Sequence, residues 1–479
     1  MNNHQRHLAR GFNWLGSATI LAKVIDFSTI LAVLLFLTKQ QVGLASLVVS
    51  FGMVIEALDG FGTSDALVQA PSVSRLQLDT LFWAVIGAAL LVAGATLLAA
   101  PWIAALYGVA GMSAYFLAIA IKQPLVGAAL IPLANLNRNL QYERIAVINV
   151  CSTLAAALTR LALAAAGAGA WAIVVGYAAS GLYTLIGAFI ASPFLPGLRF
   201  RAKAIAPLVR FGLRSATSNV FEQAFKNVDY LLIGWFYGAA PLAVYRVAFD
   251  IAMEPAMAIG TLVNRTALPV FAKLANLRDE LAQALTWSLG RLSVLTFPLM
   301  VGLMLAADPL TALLHDEQGH SYAAAALPLK LLAAAAMLRV TTQLLYPLMM
   351  GSGRPGNAAR LSATTLVLLT AGILIAGVSF PAQTGIIAMS VVWLAVYPLL
   401  LFWALRYLWR NWHIGAAAFA RALIMPGLGV GVLAMTVGIA RLTPFSGDPR
   451  VILGTVIGAV ALTYGGLFLH ARRHPVQSA

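Results

Sequence analysis

Hydrophobic residues in this chain come in long runs, not in the period-two alternation of a half-buried strand. Windows near 20 residues predict fourteen helical spans, roughly at 13–37, 42–66, 80–106, 112–134, 145–166, 171–195, 208–236, 241–268, 285–308, 323–350, 361–379, 384–405, 418–440 and 451–470. Runs of about 20–25 residues match the roughly 30 Å hydrocarbon thickness that a helix must cross. A lipid-exposed β-barrel would instead show shorter, alternating segments. The connections are short, often four to fifteen residues, and Gly and Pro cluster in them.

Composition agrees with the pattern. Of 479 residues, 61% are hydrophobic and 10% charged, and the mean hydropathy is +0.87. A soluble chain, a disordered chain, a coiled coil and a disulfide scaffold are all excluded by these values. Cys151 is the only cysteine, so neither a CxxC pair nor a multi-cysteine zinc site exists. The first apolar stretch runs to Leu37 and includes Lys23 and Asp26. It is longer than the apolar part of a signal peptide, about 7–15 residues, and reads as the first retained span.

The formal charge is +15. In a soluble protein that would suggest nucleic acid. Here the basic residues sit mostly in short connections. With fourteen spans both termini share a side; that side carries eighteen Lys and Arg, against three on the other (Lys39, Arg441 and Arg450). The asymmetry predicts cytoplasmic termini and no nucleic-acid partner.

A weak repeat appears at an offset of 198 residues. Ser17-Ala18-Thr19 matches Ser215-Ala216-Thr217, Phe51 matches Phe249, Glu56 matches Glu254, and Thr63 matches Thr261. An offset of six spans keeps orientation, as in transporters built from parallel repeats. The predicted architecture is all-α and polytopic. It has an N-terminal lobe at 1–198, a C-terminal lobe at 199–410, and two extra spans with a tail at 411–479. The lobe boundary falls in the basic segment Pro196 to Pro207.

Charges in mid-span carry the functional signal, because each costs about 2.5–3.5 kcal/mol at a lipid-facing helix centre. Span 7 holds Arg214, Glu222, Lys226 and Asp229, with Asn219 on the same stripe. In span 8, Arg246, Asp250 and Glu254 are four apart. Span 1 aligns Lys23 with Asp26, and span 2 aligns Glu56 with Asp59. Lys122, Arg160, Arg291, Lys330 and Arg339 are further basic residues in or near spans. Neutralising pairs that only permit insertion are one explanation; a hydrated cavity between two halves, with span 7 facing span 1, is the other. Spans 11 to 14 have almost no mid-span charge and are expected at the periphery.

No enzyme signature stands out: there is no P-loop, GxSxG or HExxH, and no cofactor is implied. Gly351-Ser352-Gly353 is a turn, and His315 and His320, beside Asp316 and Glu317, read as a solvated outer loop and not as a metal site.

Two segments carry a family resemblance. Asn227-Val228-Asp229-Tyr230-Leu231-Leu232-Ile233-Gly234, followed by Leu242-Ala243-Val244-Tyr245, resembles a span 7–8 signature. Leu136-Asn137-Arg138-Asn139-Leu140-Gln141-Tyr142-Glu143-Arg144-Ile145-Ala146 resembles a span 4–5 loop. Both are similar to the polysaccharide flippases of the multidrug/oligosaccharidyl-lipid/polysaccharide superfamily, in the colanic-acid-exporter-like branch. The resemblance implies a non-enzymatic transporter of the bacterial inner membrane. It would move a polyprenyl-diphosphate-linked oligosaccharide from the cytoplasmic to the outer leaflet by alternating access, for exopolysaccharide, capsule or lipopolysaccharide synthesis. Such a headgroup needs a wet polar path and its diphosphate needs cations. Lys23, Arg214, Lys226 and Arg246 are the candidates for it. Asp26, Glu56, Glu222, Asp229, Asp250 and Glu254 are the candidates for carrying H+ or Na+. Expected partners are the anionic lipid-linked oligosaccharide, membrane lipid and other polysaccharide assembly proteins. Two readings stay open beside this one: a drug/cation antiporter of the same superfamily, and a membrane-embedded polymerase or glycosyltransferase.

Overall fold

A computed structural model describes the backbone of residues 3–58, 62–70, 72–441 and 448–473. Side chains are described from Trp14 to Gly466, with gaps that include Arg214, Asn219, Glu222, Thr261 and Arg265. In hydrocarbon every backbone N–H and C=O must be satisfied within the segment, which makes apolar runs helical. The described residues accordingly form α-helices joined by short connections.

By their contacts the residues divide into two units, Met1–Ala243 with Asp316–Gln318, and Val244–His315 with Gly319–Ala479. The first unit holds α1 (Asn3–Val33), α2 (Lys39–Glu56), α3 (Thr63–Gln69), α4 (Arg75–Tyr107), α5 (Met112–Arg138), α6 (Tyr142–Ala165), α7 (Ala170–Ala191) and α8 (Ala202–Tyr237). Its contacts pair α4 with α5, α6 with α7, α1 with α6, and α5 with α7. The helix α8, on the far side of the expected boundary near residue 198, packs on α2, α3 and α4. Capping boxes start α2 and α4: the Thr38 and Ser74 hydroxyls each accept the N–H three residues on, and Gln41 and Gln77 reach back.

The expected span 42–66 is two helices here, α2 and α3. Gly62, at φ +65°, takes a left-handed conformation that an α-helix cannot contain.

The second unit holds most of α9 (Ala239–Lys273), then α10 (Arg278–Leu313), α11 (Ala326–Gln343), α12 (Leu345–Gly351), α13 (Pro355–Ser379), α14 (Ala382–Trp412), α15 (Ala416–Ala422), α16 (Ile424–Arg441) and α17 (Pro449–Arg473). The helix α10 touches α11, α15, α16 and α17. Phe249 of α9 meets Trp393 of α14 at 5.4 Å between ring centroids. The last two helices pack on α10 through Ala306, Leu433, Val437, Val456 and Ala459. A 46° bend separates α15 from α16. Pro426 lies just past it and has no N–H to give the carbonyl four residues back, which explains a break at this point.

Ten described helices are long and apolar enough to cross a membrane, or eleven if the bent α15–α16 pair is one span. The expected fourteen includes α2, α8 and α9 as well. Those are the helices whose polar and charged residues lower their hydropathy. The outward surface is what a lipid solvent requires: Leu98, Trp102, Ile190, Val378 and Leu462 are each at least 75% exposed. In water such a surface would aggregate.

The connection between α7 and α8 is tied to the start of α4. Asp79, 1% exposed, accepts the Gly197 N–H at 3.0 Å and faces the Arg75 Nε at 3.3 Å. The Trp83 indole donates to the Gly197 carbonyl at 2.9 Å. The Arg201 N–H donates to the Thr80 hydroxyl at 3.1 Å, and the Gln77 amide to the Ala204 carbonyl at 3.1 Å.

Close packing of α2 gives a test of the fold. A Cβ at Gly43 would run into the backbone carbonyl of Ala239, whereas one at Gly94 meets nothing within 4 Å. Gly43→Val is expected to destabilise by about 1–3 kcal/mol through overpacking. Gly94→Ala is expected to be neutral or stabilising by about 0.5–1 kcal/mol. Thermal unfolding of the detergent-solubilised protein distinguishes them; equal behaviour of the two would argue against the α2 packing.

Candidate functional site

Within the first unit, three helices bring together a carboxylate, an ammonium and a phenol. Glu56 ends α2, Lys122 lies in mid-α5, and Tyr177 lies in mid-α7. The Lys122 Nζ is 2.8 Å from a Glu56 carboxylate oxygen and 3.3 Å from the centroid of the Tyr177 ring. The Tyr177 hydroxyl donates to the same Glu56 oxygen. The Lys122 side chain is 4% exposed and that of Glu56 30%. A lysine this buried is tolerated when charged only because an anion and the negative face of a ring surround it. Gly181 makes room for its stem: a Cβ there would come 3.0 Å from Lys122 Cγ.

A second pair joins α1 to α6. The Arg160 guanidinium donates to Asp26 at 2.9 Å; the arginine side chain is 10% exposed and the aspartate 41%. One turn earlier, Lys23 is exposed. Asp26 and Glu56 were expected as ion carriers, and both face cations on other helices. A proton or Na+ on either carboxylate would have to compete with that arginine or lysine.

On α8 the expected stripe meets two environments. Lys226 is exposed, while Asp229 is 1% exposed and accepts the Tyr230 N–H at 2.9 Å. Asn227 is buried and donates to the Gln223 carbonyl at 2.9 Å. The side chains of Arg214 and Glu222 lie outside the described residues.

In the second unit, Arg246 Nε and Asp250 pair at 3.2 Å on α9, with side chains 16% and 13% exposed. Glu254, one turn on, is half-buried. Lys330 of α11 reaches both oxygens of Asp308 of α10 at 2.7 Å. That pair is too exposed, at 35% and 55%, to contribute more than about 1 kcal/mol. In the loop after α10, His315, Glu317 and His320 are exposed and Asp316 is buried, its carboxylate accepting the Gln318 N–H at 3.0 Å.

Sequence reasoning noted Lys122 and Arg160 but gave them no partner, and it missed Tyr177. Helical spacing pairs residues on one helix; these contacts join residues 66 and 134 positions apart. The one available signal was that a cation within a span needs an acid within a span, and Asp26, Glu56 and Asp59 are the acids of the first two expected spans.

Comparison with known proteins gives the chain its relatives. The lipopolysaccharide biosynthesis protein WzxC of Escherichia coli (strain K12) is 24% identical over 374 residues, 77% of this chain and 74% of that protein. The succinoglycan biosynthesis transport protein ExoT of Rhizobium meliloti (strain 1021) is 24% identical over 447 residues, 92% of this chain and 88% of that one. Among solved structures, the lipid II flippase MurJ in an inward closed conformation superposes with a TM-score of 0.73, covering 95% of this chain and 99% of that one. At 13% identity that likeness speaks for the fold, an all-α polytopic one. A family profile described as polysaccharide biosynthesis protein matches residues 30–324. That is more than half of the 479 residues, in line with the resemblance carried by the segments around Asn137 and Asp229, and the chain belongs to this family of polysaccharide biosynthesis proteins.

Proposed function

We propose that this multi-pass membrane protein is a flippase for a polyprenyl-diphosphate-linked oligosaccharide, carrying it from the cytoplasmic to the outer leaflet of a bacterial inner membrane. The observation that carries the reading is the family match over residues 30–324, from the end of α1 through α10. It is supported by similarity over 92% of the chain to a relative named as a transport protein.

Physical chemistry points the same way. A sugar headgroup cannot enter hydrocarbon with its hydroxyls unpaired, and the helices with the most mid-span charge, α8 and α9, offer polar groups at that depth. Lys23, Lys226, Arg214 and Arg246 are assigned to the diphosphate. Asp26, Glu56, Glu222, Asp229, Asp250 and Glu254 are assigned to H+ or Na+ exchange. Both termini are assigned to the cytoplasm on the loop charges, and two six-span lobes meeting near residue 198 are assigned to alternating access. An inside-negative potential drives an anion outward by about 2.3 kcal/mol per charge per 100 mV.

The test is the lipid fraction of a strain lacking the gene. A lipid-linked oligosaccharide is expected to accumulate and to disappear when the gene is restored. An unchanged pool of lipid-linked oligosaccharide together with normal surface polysaccharide would overturn the proposal.

A further inference from the structure

A groove of about 540 Å³ lies between the first turns of α10 and the short helix α15. Gln283, Thr286 and Trp287 line it from one side, Arg421 and Ala422 from the other. None of these residues belongs to the clusters described above.

Its depth suits a headgroup. The 36 residues of α10 span about 54 Å, well beyond a hydrocarbon layer of about 30 Å. Its exposed first turn, Arg278, Asp279 and Glu280, is charged, and the groove opens one to two turns further in. Trp287, 53% exposed, is the amphipathic residue favoured where hydrocarbon meets water.

Two features define what would fit. The first is cationic. Arg421 donates its Nε to the Ala417 carbonyl at 3.4 Å, and among the described residues its two terminal amino groups face no carboxylate. Arg291 stands 5.2 Å from the centroid of the Trp287 ring. Asp279 and Glu280 are nearby in sequence but do not line the groove.

The second feature is an acceptor. The N–H that would reach the Ala422 carbonyl in a continuous helix belongs to position 426, which is a proline. That carbonyl lies 3.3 Å from where a Cβ on Gly290 would stand, so a side chain at position 290 would crowd it. A ligand here meets the Arg421 guanidinium for a phosphate and the backbone of Ala422, with its carbonyl, for a hydroxyl or an ammonium.

We propose that this groove binds the headgroup of a membrane glycerophospholipid that bears both a phosphate and a hydrogen-bond donor. Phosphatidylglycerol and phosphatidylethanolamine have that chemistry; phosphatidylcholine has the phosphate without the donor. The binding is read without any transport, so its failure leaves the flippase reading untouched, and the reverse holds.

The experiment is native mass spectrometry of the delipidated full-length protein with each of the three lipids. Phosphatidylglycerol and phosphatidylethanolamine are expected to stay bound where phosphatidylcholine dissociates. Arg421→Gln is expected to weaken phosphatidylglycerol retention about tenfold, the effect of one charge-assisted contact to phosphate. Ala418→Phe, which fills the groove and removes no charge, is expected to do the same. Equal retention of all three lipids by the wild type, or unchanged retention by both variants, would overturn the proposal. So would displacement of phosphatidylglycerol by an equal concentration of polyprenyl diphosphate, which would give the groove to the transported lipid.

Discussion

Glu56→Gln is expected to remove most of the folded protein, and Lys122→Met less of it. The two members of the pair are unequally buried, at 30% and 4%. Neutralising the carboxylate takes the counter-charge from an ammonium buried in the first unit, whereas removing the lysine leaves a carboxylate that reaches solvent and keeps its Tyr177 hydrogen bond. Breaking a buried pair from one side costs about 3–5 kcal/mol, a large part of a total stability of about 5–15 kcal/mol. The double variant Glu56→Gln with Lys122→Met removes both charges and is expected to recover much of the loss. Membrane yield and thermal unfolding in detergent give the readout. A Glu56→Gln protein that folds at wild-type level would end the structural role given to this pair.

Lys226→Gln is expected to abolish flipping while protein level stays normal. Lys226 is exposed, so glutamine in its place disturbs less packing than a change at Glu56 does. If its ammonium holds the diphosphate, the lost contact is worth about 1.5–3 kcal/mol, or roughly 10- to 100-fold in transport. Lys226→Arg keeps the charge and is expected to retain part of the activity, although guanidinium and ammonium geometries differ. Transport is measured with labelled lipid-linked oligosaccharide in vesicles, with expression checked in parallel. A well-expressed Lys226→Gln protein that flips normally would end the binding role assigned to this residue. A protein lost from the membrane would instead make Lys226 a partner for buried acids.

The sequence made the helices legible because lipid enforces a simple rule: an apolar run about 20 residues long becomes a helix. Breaks inside runs were harder to see. Leu344, between α11 and α12, and Leu423, between α15 and α16, are apolar, so hydropathy passes over them without a signal; only Pro426 hints at the second. The partnership of α8 was also hidden. Its basic, proline-flanked start carries no sign that the side chains fastening the connection before it belong to α4, more than 110 positions earlier. In the candidate site, the acids Asp26 and Glu56 were found by their cost in lipid. Their partners Arg160 and Lys122 are set by how α1 meets α6 and α2 meets α5, information that no single helix contains.

The fastening of the α7–α8 connection bears on how specificity is best mapped between relatives. Chimeras made by joining the front of one protein to the back of another are a common route to the residues that choose a glycan. A junction near residue 198 would take Gly197 and Arg201 from different parents, while Asp79, Thr80 and Trp83 came from one of them. Such hybrids would fail in assembly and be misread as failing in recognition. Gly238, at φ +83° between α8 and α9, is the sounder crossover point: it keeps α8 with the α2, α3 and α4 surfaces it evolved against, so that lost transport in the hybrid reports on the glycan and not on the graft.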